Sequence, residues 1–412
     1  MKRALALLLL ALSMTALYAA GPAVKPGIDV LRDRGFDILK GKRVGLITNP
    51  TGITGDLQST VDVLFNAPGV KLVALYGPEH GVRGDADAGE SVDTYKDPRT
   101  GLPVYSLYGR TRKPTKEMLQ GLDVLVYDIQ DIGVRSYTYI STMGEAMEAA
   151  AEQHIPFVVL DRPDPLTGTR VEGPMLDPAF KSFIGAYPVP YVYGMTAGEL
   201  AQMVNGEGWL KDGVHCDLTV VPLEGWKRSM WWDQTGLVWV PTSPHVPHAE
   251  TAIFYVLTGF LGELGTANQG VGYTLPFELV GAPWVDQYAL ARYMNSLGLA
   301  GVAFRPMTYT PFYRESTDIQ YKGVQIHLTD RERIDMTAIQ MQILDALIKL
   351  FPEKNIFTRA SQSNLRSFDR AAGSSSVRMA FQAGTPVTEI LKSIDLGVQQ
   401  FLPRRAKYLI YP

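Results

Sequence analysis

The chain has 412 residues, 46% hydrophobic and 20% charged, which is enough apolar material for two cores. A formal net charge of -3, with lysines and arginines scattered along the chain, supplies no basic stripe and argues against a nucleic-acid partner. One cysteine, Cys216, excludes an intramolecular disulfide, and its setting in "GVHCDLTVV" at the entry to a strand reads as core rather than catalytic thiol.

Residues 1–20, "MKRALALLLLALSMTALYAA", join a basic start to an apolar run and end in small residues, the pattern of a secretory signal peptide cut near Gly21. The apolar run is short for a span and "GPAVKPG" brings no stop-transfer charges, so no stable membrane anchor is expected. The mature protein should then work in the periplasm or outside the cell. From about residue 40 the chain alternates apolar, β-branched runs with amphipathic stretches. Strand "KRVGLIT" is followed by helix "LQSTVDVLFN", strands "VKLVALYG" and "LPVYSLYG", helix "TKEMLQGL", strand "DVLVYDIQ" and helix "SYTYISTMGEAMEAAAEQ". Strand "IPFVVLD", helix "TAGELAQMVNGE" and strand "LTVVPLEGW" complete the series. Strands so continuously apolar imply helices on both faces of a mostly parallel sheet, so residues 21–242 are expected to form a Rossmann-like, doubly wound α/β domain.

Proline density rises in "WVPTSPHVPH" and the alternation stops, which sets the boundary for a second, smaller mixed α/β domain over residues 243–412. That half shows helix "ETAIFYVLTGFLGEL", the glycine-rich loop "GTANQGVGYT", a helix around "VDQYALARYMNSLG" and strands "VAFRPMTYT" and "GVQIHLTD". Helices "MTAIQMQILDALIKLF" and "TPVTEILKSIDLGVQQF" follow, with "AAGSSSV" reading as an exposed loop between them.

In such a sheet the ligand crevice lies beyond the carboxyl ends of the strands, so polar residues directly after apolar runs are the candidates. They are Asn49 in "GLITNPTG", Glu79 and His80 in "ALYGPEHG", Asp128, Gln130, Asp131 and Arg135 in "LVYDIQDIGVRSYTY", and Asp161, Arg162 and Asp164 in "VVLDRPDP". Glu79, partly desolvated at a strand end between glycines, could hold a proton for general acid catalysis, with a turn ion pair to Arg83 as the bland alternative. His80 could orient Glu79, share its proton, or bond a backbone carbonyl. Tyr137 and Tyr139 could hydrogen-bond a hydroxyl-rich ligand, and Arg135 either grips a ligand carboxylate or pairs with Asp131 across a helix start.

"DADAGE" lacks the full pattern of a calcium loop, so Asp85, Asp87 and Glu90 read as a solvated loop. There is no HExxH, paired CxxC or GxSxG, and "GVGYTL" lacks the third glycine of a dinucleotide fingerprint, so no metal and no cofactor are expected. Two further classes stay open at this point: a metal-dependent hydrolase using His80 with Asp85, Asp87 or Asp128, and a non-catalytic binder of cell-wall sugars. Nothing in the sequence sets an oligomeric state.

Taken together, "GLITNPTG", "GPEHGVRG", "DIQDIGVRSYTY", "LDRPDPLTG", "VEGP", "YGMTAGELA" and "PFELVGAP" resemble the exo-β-N-acetylmuramidase family of peptidoglycan recycling, in the expected order and over nearly the whole mature chain. The resemblance implies a Rossmann-like domain followed by a smaller one, and release of terminal N-acetylmuramic acid from the non-reducing end of peptidoglycan-derived amino sugars or muropeptides. It implies Glu79 as the leading catalytic acid; on general glycosidase chemistry Asp128 and Asp131 are the candidates for a second carboxylate, and the substrate's own acetamido oxygen is the alternative to a protein nucleophile. Asn49, Arg83, Gln130, Arg135, Tyr137, Tyr139, Asp161 and Arg162 are the expected substrate-binding residues, an arginine meeting the lactyl carboxylate. The chain departs from the family pattern before "PFE", where Gln269 and Val271 stand in place of a glutamate and an arginine.

Overall fold

The computed structural model describes residues 24–84, 94–313 and 318–412. The leader at residues 1–20 and the acidic loop bearing Asp85, Asp87 and Glu90 lie outside the described residues.

A short helix α1 (Gly27–Asp33) precedes strand β1 (Arg43–Thr48), helix α2 (Thr60–Asn66), β2 (Lys71–Gly77), the two-residue β3 (Tyr95–Lys96), β4 (Pro103–Ser106) and β5 (Val124–Asp128). Then come α3 (Tyr139–Glu152), β6 (Phe157–Leu160), α4 (Ala197–Gly206) and β7 (Leu218–Val221). These seven strands make one sheet in the order β3-β4-β2-β1-β5-β6-β7, parallel throughout except for the edge strand β3, which runs antiparallel to β4. The expected doubly wound α/β fold is thus present. The chain leaves β1 toward β2 and β4 on one side, then returns to place β5 on the other, so the strand order reverses between β1 and β5 and opens the crevice there.

Local chemistry explains the elements. Every residue of β5 and β6 is buried, as a strand covered on both faces requires, and their Val, Leu, Tyr and Phe side chains divide between two apolar clusters. Helix α4 starts in a capping box: Thr196 accepts from the Glu199 amide while Glu199 accepts from the Thr196 amide. The expected helix at "TKEMLQGL" is instead a series of turns ending at Gly121, whose φ of +81° is left-handed.

The second half contains α5 (Thr251–Leu264), β8 (Leu279–Ala282), α6 (Gln287–Ser296), β9 (Val302–Tyr309), β10 (Tyr321–Leu328) and α7 (Met336–Leu350). It ends in α8 (Gln362–Ala372), α9 (Ser376–Gln382) and α10 (Val387–Arg405). Its strands form an antiparallel sheet in the order β8-β10-β9. "AAGSSSV" is not an exposed loop: Ala371 and Ala372 close α8 in the core, Gly373 caps it at φ +86°, and Val377 is buried in α9. One continuous apolar cluster runs from β5 and α3 through α5, α7 and α8, so the two halves share a core.

Candidate active site

Beyond β2 the chain turns back on itself through Pro78–Gly81, closed by the Gly81 amide donating to the Pro78 carbonyl at 3.0 Å. His80 is left-handed at φ +72° and Gly81 follows at φ +76°. A Cβ on Gly77 would meet the Val82 nitrogen at 3.0 Å, so the turn packs onto the strand end and needs glycine there. The effect is to hold Glu79 half-buried at the crevice wall, with the His80 Nδ1 enclosed and without a hydrogen-bond partner.

Three phenols lie within electrostatic reach of Glu79. Tyr108, on the loop after β4, has its hydroxyl pushed up to about 12 by burial and by the Glu79 carboxylate beside it. Tyr139, at the start of α3, and Tyr255, in α5, are raised by burial foremost and also by the Glu79 charge. Tyr139 donates to the Thr242 carbonyl at 2.5 Å, and Tyr137 donates to the Thr242 hydroxyl at 2.7 Å. The Tyr137 ring meets Tyr139 edge-on at 5.1 Å and Tyr255 at 5.9 Å. Phenols in this state are un-ionised donors and acceptors at neutral pH, suited to sugar hydroxyls.

Asn49 leaves β1 on the floor of the same crevice. Its Oδ1 accepts from the Thr51 amide at 2.9 Å and the Thr51 hydroxyl at 2.5 Å, while its buried Nδ2 has no partner. The Thr51 hydroxyl also accepts from the Gln130 amide at 2.9 Å, tying the ends of β1 and β5 together. Gln130 donates from Nε2 to the Asp131 and Pro163 carbonyls, both at 2.7 Å, and leaves Oε1 unpartnered. Asp131 accepts on Oδ2 from the Gly133 amide at 2.8 Å and from the Tyr193 hydroxyl, and its Oδ1 has no partner. Burial pushes the Asp131 carboxyl up to about 7. Its charge, like that of Glu79, acts on Tyr255, so the two acids share one neighbour.

Asp164 flanks the same turn. Gly133 is left-handed at φ +76°, and a Cβ there would lie 3.0 Å from the Asp164 Cγ, so glycine makes room for that carboxyl. Asp164 accepts from the Leu166 amide at 2.9 Å, keeps Oδ2 unpartnered, and is raised well above the ordinary range by burial and by Asp131.

The remaining strand-end residues are consumed by the fold. Arg162 donates to both oxygens of Asp128, at 2.6 and 3.0 Å, and to the Ile53 carbonyl at 2.7 Å. Thr60 donates to the same Asp128 at 2.5 Å, so this fully buried carboxylate has no open valence facing the crevice. Asp161 accepts from the Thr196 hydroxyl, the Gly198 amide and Tyr411, which makes it an anchor for α4 and the chain's end. Arg83 pairs with Asp97 at 3.0 Å and Asp62 at 3.3 Å, and not with Glu79. Arg135 meets neither a ligand carboxylate nor Asp131: it is fully enclosed and donates to the carbonyls of Pro174 and Val189, both at 2.7 Å, and of Ala371 at 2.9 Å. Asp128 and Asp161 are thus buried and hydrogen-bonded within the fold, Arg83 is paired with Asp62 and Asp97, Arg135 is enclosed with its Nε unpartnered, and Arg162 lines a small cavity with Thr51 and Gln130.

Tyr108, Tyr255 and Tyr193 escape the strand-end rule in different ways. Tyr108 stands two residues past a strand and could have been found by it, whereas Tyr255 and Tyr193 come from segments distant in sequence with no local signature. Among the described residues no three His, Cys, Asp or Glu side chains are grouped to hold a metal ion, and no helix is long and apolar enough to cross a membrane. Cys216 is buried and its thiol is pushed up to about 12 by burial, in keeping with a core role.

Comparison with known proteins follows the same outline. Residues 44–250 match the N-terminal family model of exo-β-N-acetylmuramidase NamZ, and residues 253–411 match its C-terminal one. The peptidoglycan β-N-acetylmuramidase NamZ of Bacillus subtilis (strain 168) is 46% identical over 393 residues, covering 95% of this chain and 92% of the relative. Two crystal structures of DUF1343 family proteins from Bacteroides fragilis NCTC 9343 superpose with TM-scores of 0.90 and 0.76 at 48% and 30% identity, each comparison covering 94% of this chain and 99% of the other.

Proposed function

The chain belongs to the exo-β-N-acetylmuramidase NamZ family, and from that premise we propose that it is a glycoside hydrolase releasing terminal N-acetylmuramic acid from peptidoglycan fragments, with Glu79 as general acid. The observation that carries the reading is the half-buried Glu79 carboxyl in the glycine-flanked turn at the end of β2, within electrostatic reach of Tyr108, Tyr139 and Tyr255.

In this reading Glu79 gives its proton to the bridging oxygen as the bond from that oxygen to C1 of the muramic residue breaks. Water then adds its hydroxyl to C1, and its remaining proton restores the acid. A two-carboxylate route needs a second acid with an open oxygen, which Asp131 keeps in Oδ1 and Asp128 lacks. The unpartnered Asn49 Nδ2 is a donor placed for the sugar or its acetamido oxygen. With Arg83 and Arg135 closed, the lactyl carboxylate is met by Arg112, an exposed guanidinium 4.2 Å above the Phe183 ring and within electrostatic reach of Tyr108.

The test is incubation of the purified protein with the β-linked muramic acid–glucosamine disaccharide and detection of free N-acetylmuramic acid by mass. A disaccharide that stays intact overturns the reading, and one that binds without cleavage returns the protein to the class of wall-sugar binders. Secretion to the periplasm or beyond belongs to the same proposal, resting on the leader pattern of residues 1–20, and the N-terminus of the mature protein read by sequencing near Gly21 supports it.

A further inference from the structure

The glycine-rich loop after α5 and the segment after β9 interlock. The Phe312 amide donates to the Gly272 carbonyl at 2.9 Å, and a Cβ on Gly272, which sits at φ +99°, would meet Pro311 and the Tyr313 carbonyl at 3.1 Å. This close approach gathers aromatic rings on one ledge. Tyr273 lies 6.2 Å from Phe312 and 5.6 Å from Tyr309, Phe312 lies 5.4 Å from Tyr313, and Tyr313 stands parallel to His245, 2° between planes and 5.9 Å between centroids.

Phe312 is 61% exposed, an unusual setting for a ring that its neighbours already hold in place. The chain ties the ledge to the Glu79 crevice at two points. His245 stands three residues after Thr242, the residue that receives both Tyr137 and Tyr139, and Tyr255 touches Phe277 at 4.8 Å on the other side. Phe312 thereby offers an exposed apolar face on a segment tied to residues that hold the crevice's phenols.

We infer that this ledge, with Phe312 and Tyr273 at its edge, is a binding subsite for the sugar on the reducing side of the cleaved bond, the N-acetylglucosamine that departs when muramic acid is released. The inference rests on the muramidase reading. A β-linked pyranose carries axial C–H groups on its faces and hydroxyls around its rim, so it lays an apolar face on an aromatic ring while its polar edge stays in water. The leaving sugar is the occupant because, in the exo-acting reading, the single terminal residue lies at Glu79 and only the sugar beyond the bridging oxygen extends toward neighbouring surface. Gln269 and Val271, which replace a charged pair expected from the family pattern, belong to the same loop and leave the ledge uncharged there.

The experiment measures KM for the muramic acid–glucosamine disaccharide and, separately, the inhibition constant of free N-acetylmuramic acid, which fills only the closed end. In the double variant Phe312→Ala with Tyr273→Ala, KM should rise about tenfold while the inhibition constant stays at its wild-type value. Phe312→Trp should restore a near-wild-type KM. An unchanged KM in the double variant overturns the subsite, as does a matched rise in both constants, which would mean general damage to the site. Wild-type protein that releases no muramic acid overturns the muramidase reading, and with it the subsite.

Discussion

Two groups of buried polar residues lie within a few residues of each other along the same strand ends, and they do opposite things. In the first, Asp128, Arg162 and Thr60 satisfy one another and Asp161 is held by Thr196, Gly198 and Tyr411. In the second, Asn49 Nδ2, His80 Nδ1, Gln130 Oε1, Asp131 Oδ1 and Asp164 Oδ2 are buried without partners. Buried polar atoms are nearly always paired in a folded protein, so these five support the proposal that a polar ligand completes the pairing there. Position after a strand therefore nominates a residue, and hydrogen-bond saturation decides whether it serves the fold or the substrate.

The comparison breaks most visibly at its saturated side. Arg162→Met leaves Asp128 charged and unpaired in the core, which should cost about 3–5 kcal/mol of unfolding free energy in urea titration. Activity should fall only as far as the folded fraction does. A stable but inactive variant would move Arg162 to the ligand side.

On the open side the balance reverses. Asn49→Ala forfeits two contacts with Thr51, about 1 kcal/mol of stability, yet should lower kcat/KM roughly ten- to hundredfold by removing a donor to the sugar. Steady-state kinetics beside thermal unfolding separate the two effects, and a variant that loses stability alone would return Asn49 to the scaffold.

Asp131 sharpens the same contrast through pH. Its carboxyl titrates near 7 in the folded protein and near the usual 4 when unfolded, so the folded state holds the extra proton between those values. Stability from this group therefore falls as pH rises from about 4 to about 7 and is level above. Asp131→Asn should shrink the difference in thermal midpoint between pH 5 and pH 8 by a few degrees, measured by calorimetry. An unchanged difference would mean that Asp131 is ionised across the range.

The smallest effect expected is at the rim. Arg112→Met should raise KM for muramic acid substrates severalfold with little change in kcat, as loss of an exposed charge contact does. The same KM change on a substrate whose lactyl carboxylate has been amidated would rule out that contact.

Much of this was legible in the sequence. The strands of the large sheet stand out because both faces are covered and their residues are continuously apolar, and the residues following them include Asn49, Glu79, His80 and Asp131. What periodicity cannot report is which polar group finds an internal partner. Arg135 resembles a ligand clamp because its carbonyl acceptors, at Pro174, Val189 and Ala371, lie far from it in sequence, the last of them 236 residues away. Tyr255 gives no local signal for the same reason, since it comes within electrostatic reach of Glu79 from a helix of the other half. The junction at Gly373 was misjudged because a serine-rich stretch looks like a loop whether it links helices in the core or hangs in solvent.

The most direct measurement is release of N-acetylmuramic acid from the disaccharide by Glu79→Gln, alongside its thermal unfolding curve. The account predicts a rate at least about a hundredfold below wild type with the unfolding midpoint unmoved, as removal of a general acid from a half-buried turn should give. Wild-type turnover in a correctly folded Glu79→Gln protein would contradict it.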